Sequence, residues 1–140
     1  MNEEEKIRRF VMEYSIEVPK QAVENELNYI RMEMRHRMNY DTLTGGGHHL
    51  DPYGELEQMK DQLYQAAYFE AKYDLVIKDI IARQNFSVTR EELEEEAEAM
   101  AQRQHSTVDL VRRFFGEDLS MLEKDVKRRK AEQWICQNEQ

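Results

Sequence analysis

Three of the five glycines in this chain stand together, Gly45-Gly46-Gly47, and only two prolines, Pro19 and Pro52, occur in 140 residues. Consecutive glycines cost too much backbone entropy for a helix interior. The chain therefore has one strong breaker, Thr42 to Leu50, and long stretches on either side with little to interrupt a helix. Those stretches are rich in Glu, Gln, Lys, Arg, Met and Ala, all good helix formers, and their apolar residues recur at intervals of three and four rather than two. An all-α fold without a sheet follows.

The first helix is expected over about 3–14. Ser15-Ile16-Glu17-Val18 then forms an extended joint, because the residue before a proline is pushed out of the helical region, and Pro19 suits the first turn of the next helix. That arm helix, over 19–41, places Val23, Leu27, Ile30, Met34 and Met38 on one buried face. Residues 42–50 form a Gly/His loop, a mobile tip. Asp51 and Pro52 restart the helix as N-cap and first-turn proline. One long helix over 51–84, about 50 Å at 1.5 Å per residue, carries the stripe Leu56, Met59, Leu63, Ala66, Tyr73, Ile77 and Ile80. Glu70 stands where an apolar residue is expected on that stripe.

Three shorter helices are expected within 89–138. Thr89 and Glu92 have the spacing of a capping box, with Leu93, Ala97, Met100 and Ala101 facing inward. Ser106 to Asp109 opens the second, which Gly116 closes in the left-handed conformation. The third, from Asp118 to about Gln137, packs through Leu119, Leu122, Val126, Trp134 and Ile135. Glu123 with Lys127, and Asp125 with Arg129, are four-apart pairs in the favourable orientation. The whole reads as a single elongated helical domain over 1–140 whose two long helices run antiparallel as arms.

Charge and chemistry narrow the function. A formal charge of −9 with a pI near 5.0 argues against binding driven by phosphate neutralisation, so no direct nucleic-acid partner is expected. Lys124, Lys127, Arg128, Arg129 and Lys130 form a local basic cluster, but an acidic helix start of similar size precedes it, and intramolecular complementarity is the simpler account. The acids from Glu91 to Glu98 read mainly as a solvated face with a helix-dipole role. Cys136 is alone and suits a reducing compartment. No segment has the length and apolarity of a membrane span, and Met-Asn-Glu-Glu-Glu has the wrong charge for a signal peptide. A cytoplasmic protein is expected. His48, His49 and Asp51 could begin a metal site, but a flexible tip supplies neither fixed geometry nor further ligands, so no metal is expected. No phosphate cradle, nucleophile elbow or activated cysteine is present. The expectation is a non-enzyme without cofactors.

One pattern exceeds what a core needs. Tyr29, Met32, His36 and Tyr40 follow spacings of three and four on the helix after Pro19, and Met32 lies roughly 160° around that helix from Ile30 and Met34. Tyr64, Ala67, Tyr68, Ala71 and Leu75 extend the apolar surface of the next helix beyond its core stripe. Flexible Met and amphipathic Tyr suit a surface that repacks against many partners. Tyr29, Met32, His36, Tyr40, Tyr64 and Tyr68 are the candidate binding residues; burial between helices or in a homodimer is the competing use.

Four segments, in order, resemble the C-terminal domain of the ribosome-associated chaperone trigger factor. They are Ile16-Glu17-Val18-Pro19 with its following helix, Asp74 to Ile81, Val88 to Leu93, and Lys124 to Ala131. The resemblance covers most of Glu5 to Asn138 and implies a helical domain that cradles unfolded chains without ATP. In these 140 residues no counterpart of the family's ribosome-docking or prolyl isomerase domain is expected, nor of its first arm helix. The resemblance therefore implies a holdase module for unfolded or nascent polypeptides, without isomerase activity. The alternative is a helical scaffold using the same faces for one partner or for a homodimer.

Overall fold

The computed structural model describes residues 1–46, 49 and 51–138. Among them every regular element is helical: α1 (Glu3–Glu13), α2 (Lys20–Thr44), α3 (Pro52–Gln58), α4 (Lys60–Gln84), α5 (Arg90–Arg103), α6 (Val108–Phe115), a 3-10 turn at Ser120–Leu122, and α7 (Glu123–Asn138). The chain divides into two compact units, Val11–Val76 and Met1–Phe10 with Ile77–Gln140. The divisions fall within α1 and within α4.

In the unit Val11–Val76, α2 is paired with α3 and the first part of α4. Val23, near the start of α2, packs with Ala67 and Ala71, while Met38, near its end, packs with Leu56 and Leu63. Opposite ends meeting in this order make the pairing antiparallel. Leu27 and Ile30 reach both clusters from the middle of α2. The inward face of α2 thus follows the expected stripe, whereas that of α4 departs from it: Ala67 and Ala71 are buried and Ala66 is exposed. The small side chains let two helices approach closely, since interaxial distance follows the residues at the contact. Because the core runs through Ala71, Glu70 lies at the edge; partial burial, with Asp74 and Glu26 nearby, pushes its carboxyl up.

The expected single helix over 51–84 is broken at Met59, whose backbone tightens (φ −98°, ψ 6°) and donates to Leu56 O at 3.2 Å. Asp51 caps α3 by accepting from the Gly54 amide at 3.1 Å. That cap explains Gly54 inside a helix, because a Cβ there would stand 2.2 Å from Asp51 Oδ2. Pro19 is the N-cap of α2 in extended conformation (ψ 140°), one position outside the expected first turn. At its other end α2 runs to Thr44, past the expected end at 41, and Gly45 closes it with φ 77°. Thr42 and Thr44 lie in that last turn with their hydroxyls bonded to Met38 O and Tyr40 O, so the loop begins later than expected.

One buried polar side chain ties this unit together. Lys72 is 6% exposed, and its ammonium donates to Met12 O at 2.8 Å. That carbonyl belongs to the last turn of α1, where intrahelical partners run out and a cation is favoured.

The other unit gathers α5, α6 and the 3-10 turn around Ala97, Ala101, Val111, Leu119 and Leu122, with Leu93, Met100, Val108 and Phe115 against them, and α7 packs on α5 and the turn. Phe10 and Trp134 meet edge to face at 5.9 Å. The capping box forms as expected: the Glu92 amide donates to Thr89 Oγ1, and the Thr89 amide to Glu92 Oε1. Three local expectations are corrected. Gly116 does have positive φ (94°), but its ψ of 153° is an extended, glycine-specific conformation and not the left-handed helical one. The last helix starts at Glu123 and not at Asp118, because Leu119 is itself left-handed (φ 58°) and a 3-10 turn intervenes. Asp125 faces Arg128 at 3.9 Å, leaving Arg129 to another partner.

That partner is Glu96. Set among the acids expected to be solvated, it is 4% exposed, with Arg129 at 2.5 Å and Arg103 at 3.5 Å from its carboxylate. Lys130 pairs with Glu92 at 2.6 Å, Lys127 with Glu123 at 3.2 Å, and Arg112 with Glu94. The basic cluster is therefore engaged largely within the unit.

Candidate functional site

Within the unit Val11–Val76, the inner face of α2 is used up by the two apolar clusters, and the opposite face remains. Tyr29, Met32, His36 and Tyr40 are all exposed on it, Tyr40 to 67%. Leu43, three residues beyond Tyr40, continues the row and is 87% exposed. An arm helix ending at 41 leaves Leu43 out; carried to the glycine cap, the same spacing includes it. Tyr29 is partly anchored, since its hydroxyl donates to Glu33 Oε1 at 2.7 Å and that bond, with the Glu33 charge, pushes the phenol upward. Anchoring by a residue one turn away holds the ring on the helix surface and still leaves its face open.

On α4 the candidates separate. Tyr64 is exposed, 53%, whereas Tyr68 is half-buried against Val23, Ala67 and Ala71. Tyr68 therefore contributes only its outer edge. Ala67 and Ala71, expected on the second surface, are core. Tyr53 on α3 was not singled out in the sequence and is 75% exposed. It walls an open groove of about 530 Å³ lined by Asn28, Arg31, Arg35, Tyr53, Leu56 and Glu57.

His49 bridges two carboxylates near the glycine tip. Its Nδ1 lies 2.8 Å from Glu55 Oε2 and its Nε2 3.3 Å from Asp41 Oδ2. The bond to Glu55, then that to Asp41, raises the imidazole pKa above its ordinary value. Both His49 ring nitrogens are directed at carboxylates and Asp51 is occupied in capping α3; His48, the third residue considered as a metal ligand, lies outside the described residues. Among the described residues no three His, Cys, Asp or Glu gather as metal ligands. Nor, among them, is any helix long and apolar enough to cross a membrane.

The resemblance noted above rests on the order of the helical segments, and not on the exposed row, which is inferred from spacing alone. A comparison with family profiles bears on it directly: the profile described as the C-terminus of bacterial trigger factor protein matches residues 2–137. The chain belongs to the trigger factor C-terminal family. Trigger factor of Bacillus cereus strain B4264 is 27% identical over 140 residues, an alignment covering 96% of this chain and 33% of that protein. The trigger factors of Bacillus thuringiensis strain Al Hakam and Bacillus anthracis strain CDC 684 / NRRL 3495 are each 26% identical with the same coverage. The chain thus spans about a third of the length of the curated relatives it matches. No solved structure matches it. Membership in the trigger factor C-terminal family accords with the all-helical fold, and with the order of the proline joint, the returning helix and the capped helix that follows.

Proposed function

We propose that this chain is an ATP-independent client-binding module, which holds unfolded or nascent polypeptides on the outer face of α2 through Tyr29, Met32, His36 and Tyr40, with Leu43 and Tyr64 adding to the surface. The observation that carries this reading is the exposed row opposite the packed face of α2, in a chain of the trigger factor C-terminal family. Apolar area left in water favours capture of the apolar segments that an unfolding client exposes, at roughly 25 cal/mol per Å² removed from water. Methionine and tyrosine tolerate varied partners, because one is flexible and the other has both an apolar ring and a polar tip. Nothing in this reading requires a catalytic group, a cofactor or a metal.

The test is suppression of aggregation of two unrelated thermally unfolding clients without ATP. Suppression of both supports the reading, and failure with both rejects it. A second reading, a scaffold that self-associates, draws support from Leu110 and Phe114, four apart on α6 and 43% and 81% exposed. Exposed apolar patches of this kind tend to be covered by a partner. Light scattering across a concentration series separates the readings: a homodimer that dissociates on Phe114→Ser, without any effect on clients, favours the scaffold.

A further inference from the structure

The groove between α2 and α3 has a chemistry unlike the apolar row. Arg31 and Arg35 stand four apart on α2 and therefore on one side of the groove. Among the described residues neither guanidinium makes an ion pair. That is notable in a chain with 29 acidic and 20 basic residues, where the basic cluster of α7 finds acids readily. Leu56 contributes an apolar floor, Tyr53 a ring 75% exposed, and Asn28 an amide. Among the described lining residues Glu57 is the only acid.

The geometry points to a subsite for an acidic segment of a client polypeptide: a side-chain carboxylate set against Arg31 and Arg35, with a neighbouring apolar side chain on Leu56 beside Tyr53. Charge complementarity selects this occupant. Two arginines one turn apart present forked donors suited to a carboxylate, while the apolar floor suits a peptide side chain better than a free anion. Glu57 gives the groove polarity, since it repels a second acid at its α3 side and directs the first to the arginines. The inference deepens the client-binding reading and rests on it; it adds a selective polar contact to a surface otherwise driven by apolar area.

The experiment uses the full chain and two short fluorescein-labelled peptides, one with a central Asp between Leu and Phe and one with Asn in its place. Anisotropy titration should show the Asp peptide binding about tenfold tighter, the scale of one charge-assisted contact. In the Arg31→Gln/Arg35→Gln variant the two peptides should bind alike, with the melting temperature unchanged. Equal binding of both peptides by the wild type overturns the inference, as does an Asp preference that survives the double substitution. A change in light-scattering mass on that substitution also overturns it, by assigning the groove to a second copy. Aggregation suppression run in parallel keeps the two proposals apart. Suppression without an Asp preference removes the groove alone, whereas an Asp preference without suppression removes the client reading and leaves the groove as a peptide site.

Discussion

Lys72 illustrates how much a single residue can hold. Its alkyl stem lies in the interior while its ammonium reaches Met12 O at the end of α1, so one side chain supplies both packing and a charged hydrogen bond. Lys72→Ala removes both, the packed stem and the partner of a carbonyl at the end of α1; a loss of about 2 kcal/mol is expected. Lys72→Met keeps the stem and should recover part of it, as chemical denaturation of the two variants would reveal. Equal losses would mean that the ammonium carries the whole effect. His49 makes a different prediction, one of pH. Its folded pKa lies above the ordinary 6.5, so its contribution is complete below the unfolded value and is lost as pH rises through the folded one. Melting temperatures of wild type and His49→Gln should differ most near about pH 5.5 and converge toward about pH 9. A gap constant across that range would show that the imidazole acts by shape alone. The partners of both residues are invisible to spacing for one reason. Periodicity says which positions face inward, but not which partner a polar side chain meets: Met12 reaches Lys72 from another helix, and Glu55 and Asp41 meet His49 from either side of the glycine tip.

At the scale of elements, what could be read locally was read well. The Thr89–Glu92 capping box, the Asp51–Pro52 restart and the inward row from Val23 to Met38 depend on neighbours within a few residues, and all three form. The misses lie where tertiary packing overrides a local period. The expected helix breaks at Met59, and within α4 the contact with α2 runs through Ala67 and Ala71 in place of Ala66. Glu96 is buried because Arg129 and Arg103 meet it there, which no reading of an acidic run as a solvated face anticipates. Of the candidate binding residues, the row on α2 was legible from spacing, while Tyr68 was not separable from the core without its neighbours. This distinction is measurable in α2. Leu27 joins both apolar clusters but is only half-buried, so Leu27→Ala should cost about 2 kcal/mol, the low end for a leucine truncation. A cost below about 0.5 kcal/mol, the range of neutral surface changes, would mean that the inner face of α2 has been misassigned.

For the molecule as a whole, client binding as proposed requires two properties to coexist: a helical fold stable through its inner faces, and apolar surface left outside for other chains. Because α2 packs along one face only, its opposite face has no intramolecular use, and the pairing of α2 with α3 and α4 therefore carries a second surface at little cost to stability. The same reasoning predicts no prolyl isomerisation by this chain, since a helical holding surface supplies no catalytic group; acceleration of a standard tetrapeptide isomerisation by the pure protein would contradict it. The central claim is that clients are held on the outer row of α2. It is tested most directly by aggregation suppression with the triple variant Tyr29→Ser/Met32→Ser/Tyr40→Ser, compared with wild type at a temperature where both are folded. The account predicts that the variant melts within about 2 °C of wild type, as expected for exposed positions, and loses most of its suppression. A variant that melts early yet suppresses aggregation as well as wild type while folded would contradict it, and would return the row to internal packing.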